Sequence, residues 1–210
     1  NDSLGIEKLQ KYASLFGLNE RTGIEIEEAA PQIANEFPVM AAIGQSNNNY
    51  TTVQLARYVT AVANEGTVYQ YTLLNRLEDS DGNVLQTFEP QVRNQIDVLD
   101  TEEWNAIHSG MRMVVENTKE FDGFPIEAAG KTGTAQQNLK RPNHALFVGY
   151  APYDDPEISI ATRIAYGYTS HNAAKLARNV FAYYFNVENE DELLNGQAAN
   201  GNSSSNEISD

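Results

Sequence analysis

From residue 127 onward the chain reads as strand, turn, strand, turn, strand, helix, and its turns are short. Glu127–Gln136, Ala145–Ala151 and Ile158–Tyr166 are the three strand segments, the last two strongly apolar. Asn143 and the cluster Asp154-Asp155-Pro156 supply turn residues between them. A parallel crossover needs about a dozen residues or more, so these strands are expected to be antiparallel neighbours. A helix over roughly 172–185 follows, carrying Leu176, Val180, Tyr183 and Tyr184.

Upstream the pattern is mostly helical. In the segment 4–16, Ile6, Leu9, Ala13 and Phe16 fall on one face, and Gly17 stands where a C-terminal cap is wanted. Ile24 and Ile26 alternate with Glu25 and Glu27, which predicts a short exposed strand. After the polar loop 45–50, Thr51 opens a helix with Gln54 placed for a capping box. Leu55, Val59, Val62 and Ala63 form its apolar face, and Gly66 closes it. Arg57 and Tyr58 are expected to face solvent or cap a neighbour. Strands are predicted over 67–78 and 84–88, with Asp81-Gly82 as hairpin turn. A helix over about 101–115, capped by Asp100 or Thr101, should turn Trp104, Ile107, Met111 and Val114 inward. Helices followed by a run of antiparallel strands make the fold class α+β.

Composition removes several functions. There are 29 acidic and 14 basic side chains, a formal charge of −15, which argues against nucleic acid and anionic lipid. There is no cysteine, so disulfides, thiolate metal sites and a cysteine nucleophile are excluded. His108, His144 and His171 lack ligand spacing, and His144, which follows a turn and starts a strand, is assigned a structural role near the functional site. The acid pairs Glu27-Glu28 and Asp154-Asp155 are read as solvated turns. Beyond 187 the chain becomes acidic and Asn/Ser-rich, which predicts a disordered tail over 188–210. The chain opens Asn1-Asp2-Ser3 without Met and is expected to be a piece of something longer.

The segment with chemistry in it is Ala129-Gly130-Lys131-Thr132-Gly133-Thr134-Ala135. A phosphate-binding loop would need an earlier glycine where Pro125 stands, and a helix starting at the lysine, which Gly133 disfavours. The alternative is the Lys-Thr-Gly element of serine-type acyl transferases acting on D-alanyl peptides and penicillins. Such an element wants a strand at the edge of a cleft. Lys131 supplies a fixed cation. Thr132 and Thr134 offer hydroxyls to a substrate carboxylate. Gly133 lets a substrate backbone lie close, and the Thr134 N–H can meet a developing oxyanion.

The surrounding segments fit that alternative. Ala42-Ile43-Gly44-Gln45, then Thr51-Thr52-Val53-Gln54-Leu55-Ala56, then Ala63-Asn64-Glu65-Gly66, then Ala129 to Gln136, and finally His144-Ala145-Leu146-Phe147-Val148-Gly149-Tyr150-Ala151-Pro152 stand in one order. In that order the chain resembles the transpeptidase domain of class B penicillin-binding proteins, the elongation type above all, over roughly residues 4–186. Thr52 and Glu65 depart from the family's usual Pro and Gly. The resemblance implies catalytic roles for Lys131 and Thr134, and substrate binding by Lys131, Thr132, Gly133, Thr134 and Gln136, with no metal and no organic cofactor. It implies peptidoglycan stem peptides and β-lactams as ligands, other wall-synthesis membrane proteins as partners, and an extracytoplasmic site on the cell membrane, anchored by a segment not in this chain. Gln45 is assigned to packing ahead of a place on the back wall of the cleft.

Two motifs of the family are not here. No serine has lysine three residues later. Ser46-Asn47-Asn48 and Ser170-His171-Asn172 match Ser-x-Asn literally but in the wrong places, and are read as chance. Residues 1–187 are therefore expected to be the C-terminal portion of the domain, contributing the last three strands and last helix of its antiparallel sheet, and to be inactive alone. From another class, a non-catalytic protein-interaction module is the alternative, since half a domain would expose apolar surface.

Overall fold

The computed structural model describes residues 5–188 and residue 193. The predicted tail lies outside these residues except for Glu188 and Leu193. Glu188 is held by the Arg178 guanidinium.

The helices form where their caps are. α1 (Ile6–Leu15) ends at Gly17, whose φ of +74° suits a residue without Cβ. α2 (Pro38–Ala41) is a single turn that apolar periodicity is too coarse to show. α3 (Thr52–Ala63) opens on a complete capping box: Gln54 N–H donates to Thr51 Oγ1 at 3.2 Å, and Thr51 N–H to Gln54 Oε1 at 2.8 Å. α4 (Thr101–Glu116) repeats the device with Asp100 and Glu103, each bond 2.9 Å. Each such cap is worth about 1 kcal/mol.

Between α3 and α4 lie two small antiparallel pairs. β1 (Thr67–Gln70) pairs with β4 (Gln91–Gln95), and β2 (Arg76–Glu78) with β3 (Val84–Thr87) around a turn containing Gly82. The single strand expected over 67–78 is thus broken. Glu25 takes the Thr72 hydroxyl at 2.5 Å and the Leu73 N–H at 2.8 Å, which draws the chain out of the ladder. β4 is polar in sequence and was not predicted. No strand forms at Ile24–Ile26 either. The Glu28 carboxylate binds the Thr22 hydroxyl and the Gly23 N–H, and folds 22–28 into a loop with Ile26 exposed.

The main sheet follows the expected order. β5 (Ala129–Ala135), β6 (His144–Ala151) and β7 (Ile158–Ile164) are antiparallel, in the order β5-β6-β7. α5 (Ser170–Tyr184) covers one face, where Ala173, Ala174, Ala177 and Phe181 bury against Ala145, Phe147 and Ala151. The other face meets α3 and α4, with Val59, Ala129 and Tyr150 buried together and Met111 packed against them. A third cluster joins Ala61, Val68, Ile96 and Trp104. The architecture is α+β, as expected, with β5 and β7 at the sheet's edges.

The registry of β5 depends on a pair of glycines. Gly130 lies opposite Gly149, and the Phe147 ring crosses both. A Cβ on Gly130 would stand 2.3 Å from Phe147 Cζ, and one on Gly149 would stand 2.7 Å from Cε1. Phe147 is fully buried, a burial worth about 1.5–3 kcal/mol.

Candidate functional site

β5 presents the Lys-Thr-Gly segment along an edge that β6 leaves open. Strand alternation places Lys131 with Val148, and Gly133 with Leu146, on one face. Thr132 with Phe147, and Thr134 with Ala145, lie on the other. Lys131 and the two threonines therefore do not share a face. The open edge of β5 runs between the two sets.

The backbone of that edge points outward. Lys131 Nζ donates to Thr132 O at 2.8 Å, and Gln45 Nε2 reaches Thr134 O at 3.5 Å. Neither donor belongs to the ladder, so these two carbonyls face away from β6. In an extended strand the N–H of a residue points the same way as its C=O, which directs the Thr134 N–H off the open edge. Lys131 is exposed, and Thr132, Gly133 and Thr134 are half-buried. A Cβ on Gly133 would meet Leu146 Cβ only at 3.5 Å, ordinary contact. Packing therefore does not demand glycine at 133, whereas it does at 130. Gln136 is exposed just past the strand.

Of the two readings of Gln45, packing and the back wall of a cleft, packing comes first, but the structure brings it to the β5 edge. Its loop is stitched rigidly. Asn48 Oδ1 accepts from Ala34 N–H at 2.8 Å, Asn47 Oδ1 from Asn35 N–H at 3.1 Å, and the Ser46 hydroxyl donates to Glu36 O at 2.5 Å. The Tyr50 hydroxyl, pushed up to about 12 by burial, donates to Asn48 Oδ1 at 2.8 Å. Ser46 and Asn48 are thus spent on structure. Asn172 likewise donates to Gly167 O at 2.8 Å. The run of Asn residues was the signal for this scaffold, but nothing local showed which strand Gln45 would reach.

The histidines go to three places. His108 meets Val62 O at 2.8 Å, His171 pairs with Glu120, and His144 starts β6 opposite Ala135. Among the described residues no cluster of three His, Asp or Glu side chains could hold a metal ion, and no helix is long and apolar enough to cross a membrane. Gly130-Lys131-Thr132 lies inside a strand and not at a helix start, which removes the phosphate-loop alternative.

Residues 1–182 match the family model for the penicillin binding protein transpeptidase domain. The chain belongs to the penicillin-binding protein transpeptidase family. Peptidoglycan D,D-transpeptidase MrdA of Haemophilus influenzae is 32% identical over 220 residues, covering 88% of this chain and 33% of that protein. Among solved structures, penicillin-binding protein 2B of Streptococcus pneumoniae R6 superposes with a TM-score of 0.76 at 25% identity, over 87% of this chain and 33% of that one. Penicillin-binding protein A of M. tuberculosis, as its imipenem acyl-enzyme complex, gives 0.75 at 22% identity, over 85% and 42%, which speaks to the fold alone. The chain thus spans about a third of the length of the curated relative it matches at 32% identity.

Proposed function

We propose that this chain supplies the Lys-Thr-Gly edge of a serine-type peptidoglycan D,D-transpeptidase. The observation that carries the proposal is the open edge of β5, with Lys131 on one face, Thr132 and Thr134 on the other, and the Thr134 N–H directed outward. A donor stem peptide lies along this edge beside Gly133. Lys131 and the threonine hydroxyls receive its terminal carboxylate, and Gln136 borders the end of the strand. A serine outside this chain attacks the penultimate D-alanyl carbonyl. The Thr134 N–H stabilises the oxyanion, the terminal D-alanine leaves, and an acceptor amine then takes the acyl group from the serine. β-Lactams occupy the same edge and acylate the same serine. The named activity of the Haemophilus relative supports this reaction, and the name of the Streptococcus pneumoniae relative, penicillin-binding protein 2B, supports the ligand class.

Residues 1–187 act as the C-terminal portion of the domain. Support comes from an uncovered apolar row on α5: Leu176, Val180, Tyr183 and Tyr184 are 38–59% exposed. Further elements of the intact domain would cover such a row. Peptidoglycan lies outside the cytoplasmic membrane, so the site works on the extracytoplasmic face, beside other wall-synthesis membrane proteins.

Labelling with a fluorescent penicillin tests the proposal. The intact protein takes one covalent label, the 210-residue chain alone takes none, and Lys131→Ala in the intact protein loses about a hundredfold or more in acylation rate. A covalent adduct on the isolated chain, or full acylation of Lys131→Ala, overturns it.

A further inference from the structure

At the end of the sheet where β5 stops and β6 begins, a polar hub lies outside the chemistry above. His144 is 7% exposed, and both of its ring nitrogens are engaged. Nδ1 accepts the Tyr166 N–H at 3.1 Å, so the ring proton sits on Nε2 and is donated to Gln137 Oε1 at 2.9 Å. The ring rests on that of Tyr166, with centroids 4.9 Å apart. Arg141 donates to the Tyr166 hydroxyl at 2.6 Å. Tyr166 and Tyr168 have φ of +55° and +66°. Bulky residues hold that left-handed conformation only where their surroundings over-determine it. His144 therefore bonds both the segment 136–143, which leaves β5 two residues after Thr134, and the turn 165–169 before α5.

We propose that His144 is a positioning residue for the Lys-Thr-Gly edge: its neutral ring locks segment 136–143 to turn 165–169, and protonation releases the lock. The proposal rests on the transpeptidase reading only in that the placement of Thr134 and Gln136 then governs acylation. A proton on Nδ1 sets donor against donor at the Tyr166 N–H, and that bond is lost. The new cation also meets Arg163 of β7, whose Nη2 lies 3.5 and 3.4 Å from the two ring nitrogens, and Arg141 lies over the Tyr166 ring, 5.2 Å from its centroid. Among the described residues no carboxylate forms an ion pair with Arg163 or Arg141. Burial first, and Arg163 second, hold His144 below the ordinary histidine range. The lock is therefore closed at neutral pH and opens on acidification.

The test uses the intact protein and two readouts across about pH 4.5–8: penicillin acylation rate, and the hydrogen-exchange protection factor of the Tyr166 amide. In the wild type both fall together on the acid side. His144→Asn places a carboxamide oxygen near the Nδ1 position and does not titrate. It keeps the protection factor and removes the acid fall in rate. His144→Gln reaches Gln137 but not the Tyr166 amide, loses that protection at every pH, and acylates about tenfold slower at neutral pH. A wild-type protection factor that does not change with pH overturns the proposal, as does an acid fall that persists in His144→Asn. If the wild type takes no penicillin label at all, the transpeptidase reading fails, while the Tyr166 amide still decides whether the lock exists.

Discussion

Arg57, in the middle of α3, donates through Nη2 to the carbonyl of Gly17, 40 residues earlier in the chain. The same guanidinium reaches Glu20 O and Arg21 O, each at 3.2 Å, and is 2% exposed. It gathers three carbonyls of the loop that follows α1, and so ties that loop to α3. A Cβ on Gly17 would stand 2.6 Å from Nη2, so glycine there serves the guanidinium as well as the turn. Replacing Arg57 by Met keeps the stem but leaves Arg21 O without its donor, and leaves Gly17 O and Glu20 O with only the Glu20 N–H and Gln54 Nε2. The expected loss is about 3 kcal/mol in urea denaturation. A loss under about 0.5 kcal/mol would mean that water replaces the guanidinium.

Glu20 links the same junction to the β1–β4 pair and makes it acid-sensitive. Its carboxylate accepts from Arg93 Nε at 3.1 Å and Nη2 at 2.9 Å. That hydrogen bonding, with the charges of Arg93 and Arg57, holds its pKa below the ordinary glutamate value of 4.5. A group whose folded pKa is depressed stabilises the fold above its unfolded pKa, and the gain is lost as pH falls through the folded value. The urea midpoint should therefore drop as pH falls below about 4.5. Arg93→Ala should flatten that part of the drop, and the two proteins should converge once pH has fallen below the folded pKa of Glu20. An unchanged acid profile in Arg93→Ala removes Glu20 as its source.

The capping pairs offer a local check on α3. Thr51→Ala removes the acceptor for the Gln54 N–H and should cost about 1 kcal/mol, whereas Thr51→Ser should cost a few tenths. Because Gln54 is itself buried and donates to Glu20 O at 2.8 Å, Gln54→Ala should cost more than Thr51→Ala. Equal losses would show that the bond to Glu20 adds nothing.

The parts legible in the sequence were those set by local rules. Thr51 with Gln54, Asp100 with Glu103, the Asp81-Gly82 turn and the three-strand run of the main sheet are each determined by residues within a few positions of one another. The misses came from contacts across the chain. For Arg57 the local pattern leaves solvent exposure and capping of a neighbour both open, because its partners are 36 to 40 residues away. The strand over 67–78 broke because Glu25, 47 residues before Thr72, takes over its donors. β4 has no apolar alternation and exists by pairing with β1. At the site, the Lys131–Gln136 motif could be read directly, but Gln45 and the His144 bonds could not, because loops from distant positions supply them.

Gly130 and Gly133 separate folding from function within one strand. At Gly130 a Cβ collides with the buried Phe147 ring at 2.3 Å and with Val148 O at 2.8 Å. Gly130→Ala is expected to cost about 1–3 kcal/mol through overpacking. At Gly133 the nearest atom to a Cβ is Leu146 Cβ at 3.5 Å, and no left-handed backbone angle forbids a side chain. Gly133→Ala should therefore change stability by no more than about 0.5 kcal/mol. On the proposed function its methyl group enters the space where a substrate backbone lies along β5, and penicillin acylation in the intact protein should fall about tenfold or more. Calorimetry and the labelling rate, measured on the same two variants, decide the matter. If Gly133→Ala acylates at the wild-type rate, substrate does not pack against this strand. If Gly130→Ala is as stable as the wild type, the Phe147 ring is free to move aside.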